Sequence, residues 1–202
     1  MNREFQEKDL VLATHNLGKI EEFKHLFGEV DFNINNIGQY SWEPPEESGM
    51  SFWENSLIKA KNFSLKTKMV CLADDSGLEI DLLNKKPGIY SARWGGPKGD
   101  FNFAIKKVFK ALDKKKKNWR DEKISARFIC ALTIFGLRKK PIFSVGKIEG
   151  YISYEQRGLK GFGYDPIFIP KGKRKTFGEM DPKKKYKMDH RFNAFKKIKK
   201  FL

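Results

Sequence analysis

The chain has 202 residues, 40% of them hydrophobic and 18 of them Phe, which is enough apolar material for a packed core and excludes a disordered polymer. Its 41 Lys and Arg against 25 Asp and Glu give a formal net charge of +16. Such a balance attracts nucleic acid, acidic membrane surfaces or phosphorylated small molecules, and it equally describes a lysine-rich solvated surface.

In chain order, Met1 to Lys8 is polar and lacks the apolar core of a signal peptide. Leu10 to Ala13 reads as a buried strand ending in the polar turn Thr14-His15-Asn16-Leu17-Gly18-Lys19, and a helix with Ile20, Phe23 and Phe27 on one face follows. Tyr40 to Met50 is loop-like. Ser51-Phe52-Trp53-Glu54 matches a capping box, and Trp53, Leu57, Ala60 and Ser64 share a face of the helix it opens. Met69 to Ala73 is a second buried strand, with a turn expected at Ser76-Gly77 and a short strand at Leu78 to Leu83.

Phe101, Ala104, Ile105, Val108 and Leu112 form a helical stripe, and Lys114 to Lys117 reads as an exposed loop after it. Two β segments are expected near Ser125 to Phe135 and Ile142 to Ile152, joined by a turn at Arg138 to Pro141. A Gly-rich loop spans Gly158 to Gly163. Asp181-Pro182 opens a last helix with Phe192, Phe195 and Ile198 on one side. Strands that first alternate with helices and then form an antiparallel pair predict an α/β fold on a mixed sheet. Cys71 and Cys130 sit in apolar runs without metal-type spacing, so buried free thiols and a reducing, cytoplasmic setting are expected.

Five segments carry candidate chemistry. Asp74 and Asp75 stand at the end of a buried strand, where side chains alternate in direction. One carboxylate can therefore hold Mg²⁺ or take a proton from water while its neighbour supports the structure. Glu46 and Glu47 offer further oxygen ligands, either of which can join Asp75. Thr14 to Lys19, at a helix N-terminus, suits a phosphate, with Lys19 as a point charge. Gly161-Phe162-Gly163-Tyr164-Asp165 lets a base stack on Phe162 and bond to Asp165. Lys185, His190 and Arg191 can donate to base carbonyls. Each segment also has an ordinary reading: a turn, surface acids, an Asn-capped βα turn, a tight turn with a packed Phe, a basic solvated helix.

Their order is more specific than any one of them. T-x-N-x-x-K, E-E-S-G before F-x-E-N, A-D-D-S-G-L, P-G-I-Y-S-A-R, G-F-G-Y-D-P-I-F and D-H-R with a lysine five residues before the His extend from Leu12 to Ala194. This series resembles the inosine/xanthosine triphosphate pyrophosphatase family. The resemblance implies one domain over residues 1–202, with two α/β lobes on a long curved mixed sheet and the nucleotide in the cleft between them. It also implies a homodimer, and an enzyme that hydrolyses ITP, dITP and XTP to the monophosphate and pyrophosphate.

On the matching positions, the resemblance implies that Thr14, His15, Asn16, Leu17, Gly18 and Lys19 hold the triphosphate with Lys59. Glu46 or Glu47 with Asp75 would hold Mg²⁺, or Mn²⁺ in its place. Asp75 would be the general base, supported by Asp74 and Lys19. Ser76, Arg93, Phe162, Gly163, Tyr164, Asp165, Lys185, His190 and Arg191 would contact the nucleotide. Two departures stand out: Asp189 occupies a position where the family usually has Ser, and Lys171 to Lys175 is strongly basic. The rival readings are a sibling pyrophosphatase with another base preference and a basic nucleic-acid-binding protein.

Overall fold

A computed structural model describes residues 9–28, 33–39 and 43–202. The expectations for Met1 to Lys8 and for the first residues of the 40–50 loop fall outside them.

Among the described residues the sheet is mixed and has seven strands: β1 (Asp9–Leu12), β2 (Asn33–Asn36), β3 (Val70–Ile80), β4 (Lys86–Pro87), β5 (Ser125–Phe135), β6 (Ile142–Ile152) and β7 (Phe168–Pro170). The order is β2-β1-β3-β5-β6-β7, with β4 paired to β3. β1 runs parallel to β2 and β3, with Leu10 opposite Val70 and Leu12 opposite Leu72. β4 and β7 run antiparallel to β3 and β6. The helices are α1 (Leu17–Phe27), α2 (Phe52–Thr67), α3 (Phe101–Lys115), α4 (Pro182–Lys185) and α5 (His190–Ile198).

The chain divides into two compact units. The first takes in residues 1–75, 131–145 and 194–202, and the second takes in residues 76–130 and 146–193. The first has a core of Val11, Ile37, Ala60, Phe63, Cys71 and Ala73. Both free cysteines are buried, as expected. The second has an aromatic-rich core that includes Ile105, Val108, Leu112, Trp119, Phe128 and Phe168.

Most elements form where the pattern placed them, and the exceptions have physical causes. β3 continues through Ser76 and Gly77 to Ile80, so the expected turn and separate strand are one strand. Within the second unit Leu78 is held there by its amide, which donates to Ser91 Oγ at 2.9 Å. Long-range pairing outweighs the turn propensity of Ser-Gly. Lys114 and Lys115 end α3 instead of forming a loop, in the turn where a helix dipole favours cations.

The expected last helix is two. Asp181 caps α4 by accepting the Lys184 amide, and Asp189 Oδ1 accepts the Phe192 amide at 2.7 Å to start α5. Helix α2 begins at its capping box, with Ser51 Oγ accepting from Glu54 N and Glu54 Oε2 accepting from Met50 N. Of the expected face, Ala60 and Ser64 are buried and Leu57 is half-buried, but Trp53 is exposed and packs edge-on against Phe143. The buried face carries Asn55, Ser56, Lys59, Ala60, Phe63, Ser64 and Thr67.

Candidate functional site

In the first unit, β1 and β3 lie side by side, so the loop leaving β1 and the Asp74-Asp75 pair on β3 belong to neighbouring strands. Asn16 caps α1: its Oδ1 accepts the Lys19 amide at 3.0 Å, and Thr14 Oγ1 accepts the Asn16 amide at 3.2 Å. The turn is thus set for the partial positive charge of the helix end to meet an anion. Thr14 is buried, Gly18 and Lys19 are half-buried, and His15 and Leu17 are exposed, with His15 edge-on to Phe63.

Strand alternation separates the two acids. Asp74 Oδ2 pairs with Lys19 Nζ at 3.0 Å. Asp75 Oδ1 lies 3.4 Å from Lys59 Nζ, and Glu47 Oε1 lies 2.6 Å from the same nitrogen. Asn55, fully buried, donates from Nδ2 to Asp75 Oδ2 at 3.2 Å and accepts the Gly49 amide at Oδ1 at 2.8 Å. A Cβ on Gly49 would sit 2.6 Å from that same Oδ1, so the E-E-S-G loop closes on α2 only with glycine there. Asn55 therefore ties the Glu47 loop to Asp75. Periodicity had no means of finding it, because a buried polar residue on a helix gives no hydrophobic signal.

Lys19 and Lys59 pair here with Asp74, Asp75 and Glu47. Burial pushes the Asp75 carboxyl above the usual carboxylate range; Glu47 and Asp74 push the same way, against Lys59 and Lys19. Burial alone would lower Lys59, but Asp75, Glu47 and Asp74 outweigh it and hold the ammonium charged.

Glu47 and Asp75 converge on one cationic nitrogen with hard oxygen atoms, which fits Mg²⁺ held by two carboxylates and completed by phosphate and water. Glu46 does not join them. It is exposed, and among the described residues no three His, Cys, Asp or Glu side chains group as a metal site. Of the two glutamates, Glu47 is the one that lies with Asp75 against Lys59.

In the second unit, Asp165 and Lys185 form a buried ion pair, Nζ to Oδ2 at 2.6 Å. The same Oδ2 accepts the Phe162 amide at 2.9 Å. Gly161 has φ +74°, and a Cβ there would run into the Asp165 carboxylate. Asp165 is thus the anchor of the Gly-Phe-Gly turn. That turn presents a half-buried Phe162, with Lys185 Nζ 4.7 Å and Arg191 Cζ 5.9 Å from its ring centroid. Arg191, itself buried, donates to Ser76 Oγ at 3.1 Å, and His190 stacks on Phe128 at 4.8 Å.

Tyr164 departs from the expectation of a base contact. It packs in the core against Phe101 and donates its hydroxyl to Ser91 O at 2.8 Å. Arg93 is exposed, over the ring of Tyr90, and Gly163 is half-buried.

The chain matches the Ham1 family over residues 10–201. It belongs to the Ham1 family. Among relatives, the dITP/XTP pyrophosphatase of Dictyoglomus thermophilum is 45% identical over 197 residues, covering 96% of this chain and 93% of that protein. The dITP/XTP pyrophosphatase of Bacillus subtilis is 40% identical, covering 96% and 97%. The Ham1 fold also appears in solved structures. A HAM1 protein from Coxiella burnetii aligns with a TM-score of 0.84 at 34% identity, covering 95% of this chain and 96% of its own. The Staphylococcus aureus Ham1 protein aligns with a TM-score of 0.82 at 32% identity, covering 96% and 97%. The family thus accounts for both the mixed sheet and the order of the motifs.

Proposed function

We propose that this chain hydrolyses 6-oxo purine nucleoside triphosphates, such as dITP, XTP and ITP, to the monophosphate and pyrophosphate. It would thereby remove damaged nucleotides before a polymerase uses them. One observation carries the reading beyond family membership: Asp75 is buried, raised in proton affinity, and oriented by Lys59 and Asn55 beside Glu47. A carboxylate with raised proton affinity is suited to general-base work.

The triphosphate lies along the N-terminal turn of α1, held by its amides and by Lys19. Lys59 adds a second ammonium. Asp75 takes a proton from the attacking water as the water oxygen bonds to phosphorus. The anhydride bond to the leaving pyrophosphate breaks with that bond's formation. Asp74 holds Lys19 in position through its 3.0 Å ion pair. Mg²⁺, held by Glu47 and Asp75, supplies neutralisation of phosphate charge; Mn²⁺ is the natural substitute to test.

On the base side, Phe162 offers a stacking face, and Lys185, His190 and Arg191 are the donors for base carbonyls. Adenine carries an amino group where these substrates carry oxygen, so it would leave buried donors unpaired. The reading includes a homodimer acting on the cytoplasmic nucleotide pool; sedimentation would check the dimer. No helix among the described residues is long and apolar enough to cross a membrane.

The experiment is a panel of dITP, XTP, ITP, dATP and pyrimidine triphosphates with Mg²⁺, with products resolved by ion exchange. Monophosphate and pyrophosphate from the first three, far ahead of dATP, is the expected result. Preference for pyrimidines would move the activity to the sibling class, and no hydrolysis of any would overturn it.

A further inference from the structure

Within the second unit, a groove of about 950 Å³ contains none of the residues discussed above as site residues. Lys106, Lys107, Lys110, Lys114 and Lys115 of α3 line it, with Lys86 of β4. All six are exposed, and none pairs with a carboxylate among the described residues. Phe103, Lys106, Lys107, Lys110 and Lys114 recur at three- and four-residue spacing, so one helix face carries them. Like charges so spaced destabilise a helix, and the neighbouring acid Asp113, three residues from Lys110, is taken up by Arg120 and Trp119. The opposite face is fixed in the core by Ala104, Ile105, Val108 and Leu112, so the cationic row sits on a rigid support.

The groove is also apolar. Trp94 and Ala111 contribute to it with Leu83, and Phe103 lines it at 55% exposure. Lys107 Nζ lies 5.2 Å from the Trp94 ring centroid. From Phe103 to Lys114 the helix rises roughly 16 Å, enough for several successive phosphates. Flat apolar rings interleaved with unpaired ammonium groups match a strand that has both bases and phosphates. A bare phosphate polymer or an acidic peptide would use the lysines and leave the rings idle.

We propose that this lysine- and aromatic-lined groove on α3 binds single-stranded nucleic acid without reading its sequence. The groove is independent of the hydrolytic reading, since it uses none of its residues.

The test is fluorescence anisotropy of a dye-labelled oligothymidine of about twelve nucleotides with the full chain, titrated at several salt concentrations. Four phosphate contacts predict a slope of log affinity against log salt near about −3. Lys107→Glu/Lys110→Glu should weaken binding at least ~10-fold and flatten the slope. Lys173→Glu/Lys175→Glu takes the net charge from +16 to the same +12 and should change binding by less than ~2-fold. Phe103→Ala, at an exposed position, should weaken oligothymidine but not inorganic polyphosphate. Thermal melting checks that each variant is folded, and dITP hydrolysis should persist in all three.

Absence of binding at low salt would overturn the proposal. Equal loss in the two charge-reversed variants would do the same, because it would assign binding to bulk charge. A Phe103→Ala variant that binds oligothymidine as tightly as the unmodified chain would reduce the groove to a polyanion surface and likewise overturn it.

Discussion

Asn55 joins the two acidic segments of the first unit, so its removal should be felt in both stability and turnover. In Asn55→Ala the Gly49 amide loses a 2.8 Å bond, and Asp75 Oδ2 loses a 3.2 Å donor, at a fully buried position. The neutral bond is worth about 1 kcal/mol, and the bond to a charged group about 1.5 kcal/mol at its longer distance. Destabilisation of roughly 2–3 kcal/mol follows, which for a chain of this size lowers the melting temperature by roughly 4–12 °C. With Asp75 in its proposed role as a metal ligand, turnover should fall about 10–100-fold, the usual cost of losing a residue that orients such a ligand.

Asn55→Asp separates the two bonds. The shape is kept and the Gly49 amide still has an acceptor, but the donor to Asp75 becomes a like charge. Turnover should fall at least as far as in Asn55→Ala. The assays are a thermal melt and pyrophosphate release from dITP. Turnover within twofold of the unmodified chain in both variants, with unchanged melting, would refute the reasoning.

Other outcomes follow from the same contacts. Lys185→Met leaves the Asp165 carboxylate buried without its 2.6 Å partner, and denaturant unfolding should register a loss of about 3–5 kcal/mol. Asp189→Ser keeps an oxygen for the Phe192 amide, so stability should move by only a few tenths of a kcal/mol, against about 1 kcal/mol for Asp189→Ala. Turnover of dITP relative to XTP should be unchanged by the serine. Burial pushes the Cys71 thiol from 9.0 up to about 12, opposed weakly by Thr67. A folded-state value raised in this way gives stability that is full below pH 9.0 and lost as pH rises towards 12, so the urea midpoint should decline across that window. Iodoacetamide should leave Cys71 unlabelled at neutral pH until the chain is unfolded.

Where hydrophobic spacing and structural role coincide, the sequence was readable. The stripe Ala104, Ile105, Val108 and Leu112 is the buried face of α3, and Ser125–Phe135 and Ile142–Ile152 are β5 and β6. Where main-chain pairing or polar burial decides, it was not. The Asn-rich β2 is a strand because its backbone pairs with β1 from Asp9↔Asn33 to Leu12↔Asn36, which no side-chain pattern announces.

Helix α2 misled for a related reason. Ser56 bonds Thr133 at 2.6 Å and Ser64 donates to Met69 O at 2.7 Å, so polar groups face inward while Trp53 faces out. The motifs picked out Asp74, Asp75, Lys19, Glu47 and Lys59, which the fold brings into one cluster. They could not distinguish Glu46 from Glu47, nor separate Tyr164 as core from Phe162 as an available ring, because adjacent residues differ only in direction. The departure at Asp189 is explained by capping, a task that Asp and Ser both perform.

The central claim rests on Asp75, and Asp75→Asn tests it most directly. The substitution keeps the side-chain shape at a buried position and removes only the charge and the proton acceptor. Pyrophosphate release from dITP with saturating Mg²⁺ should fall by at least ~10³-fold, while circular dichroism and thermal melting show a folded chain. A folded Asp75→Asn variant that releases pyrophosphate at the unmodified rate would contradict the account.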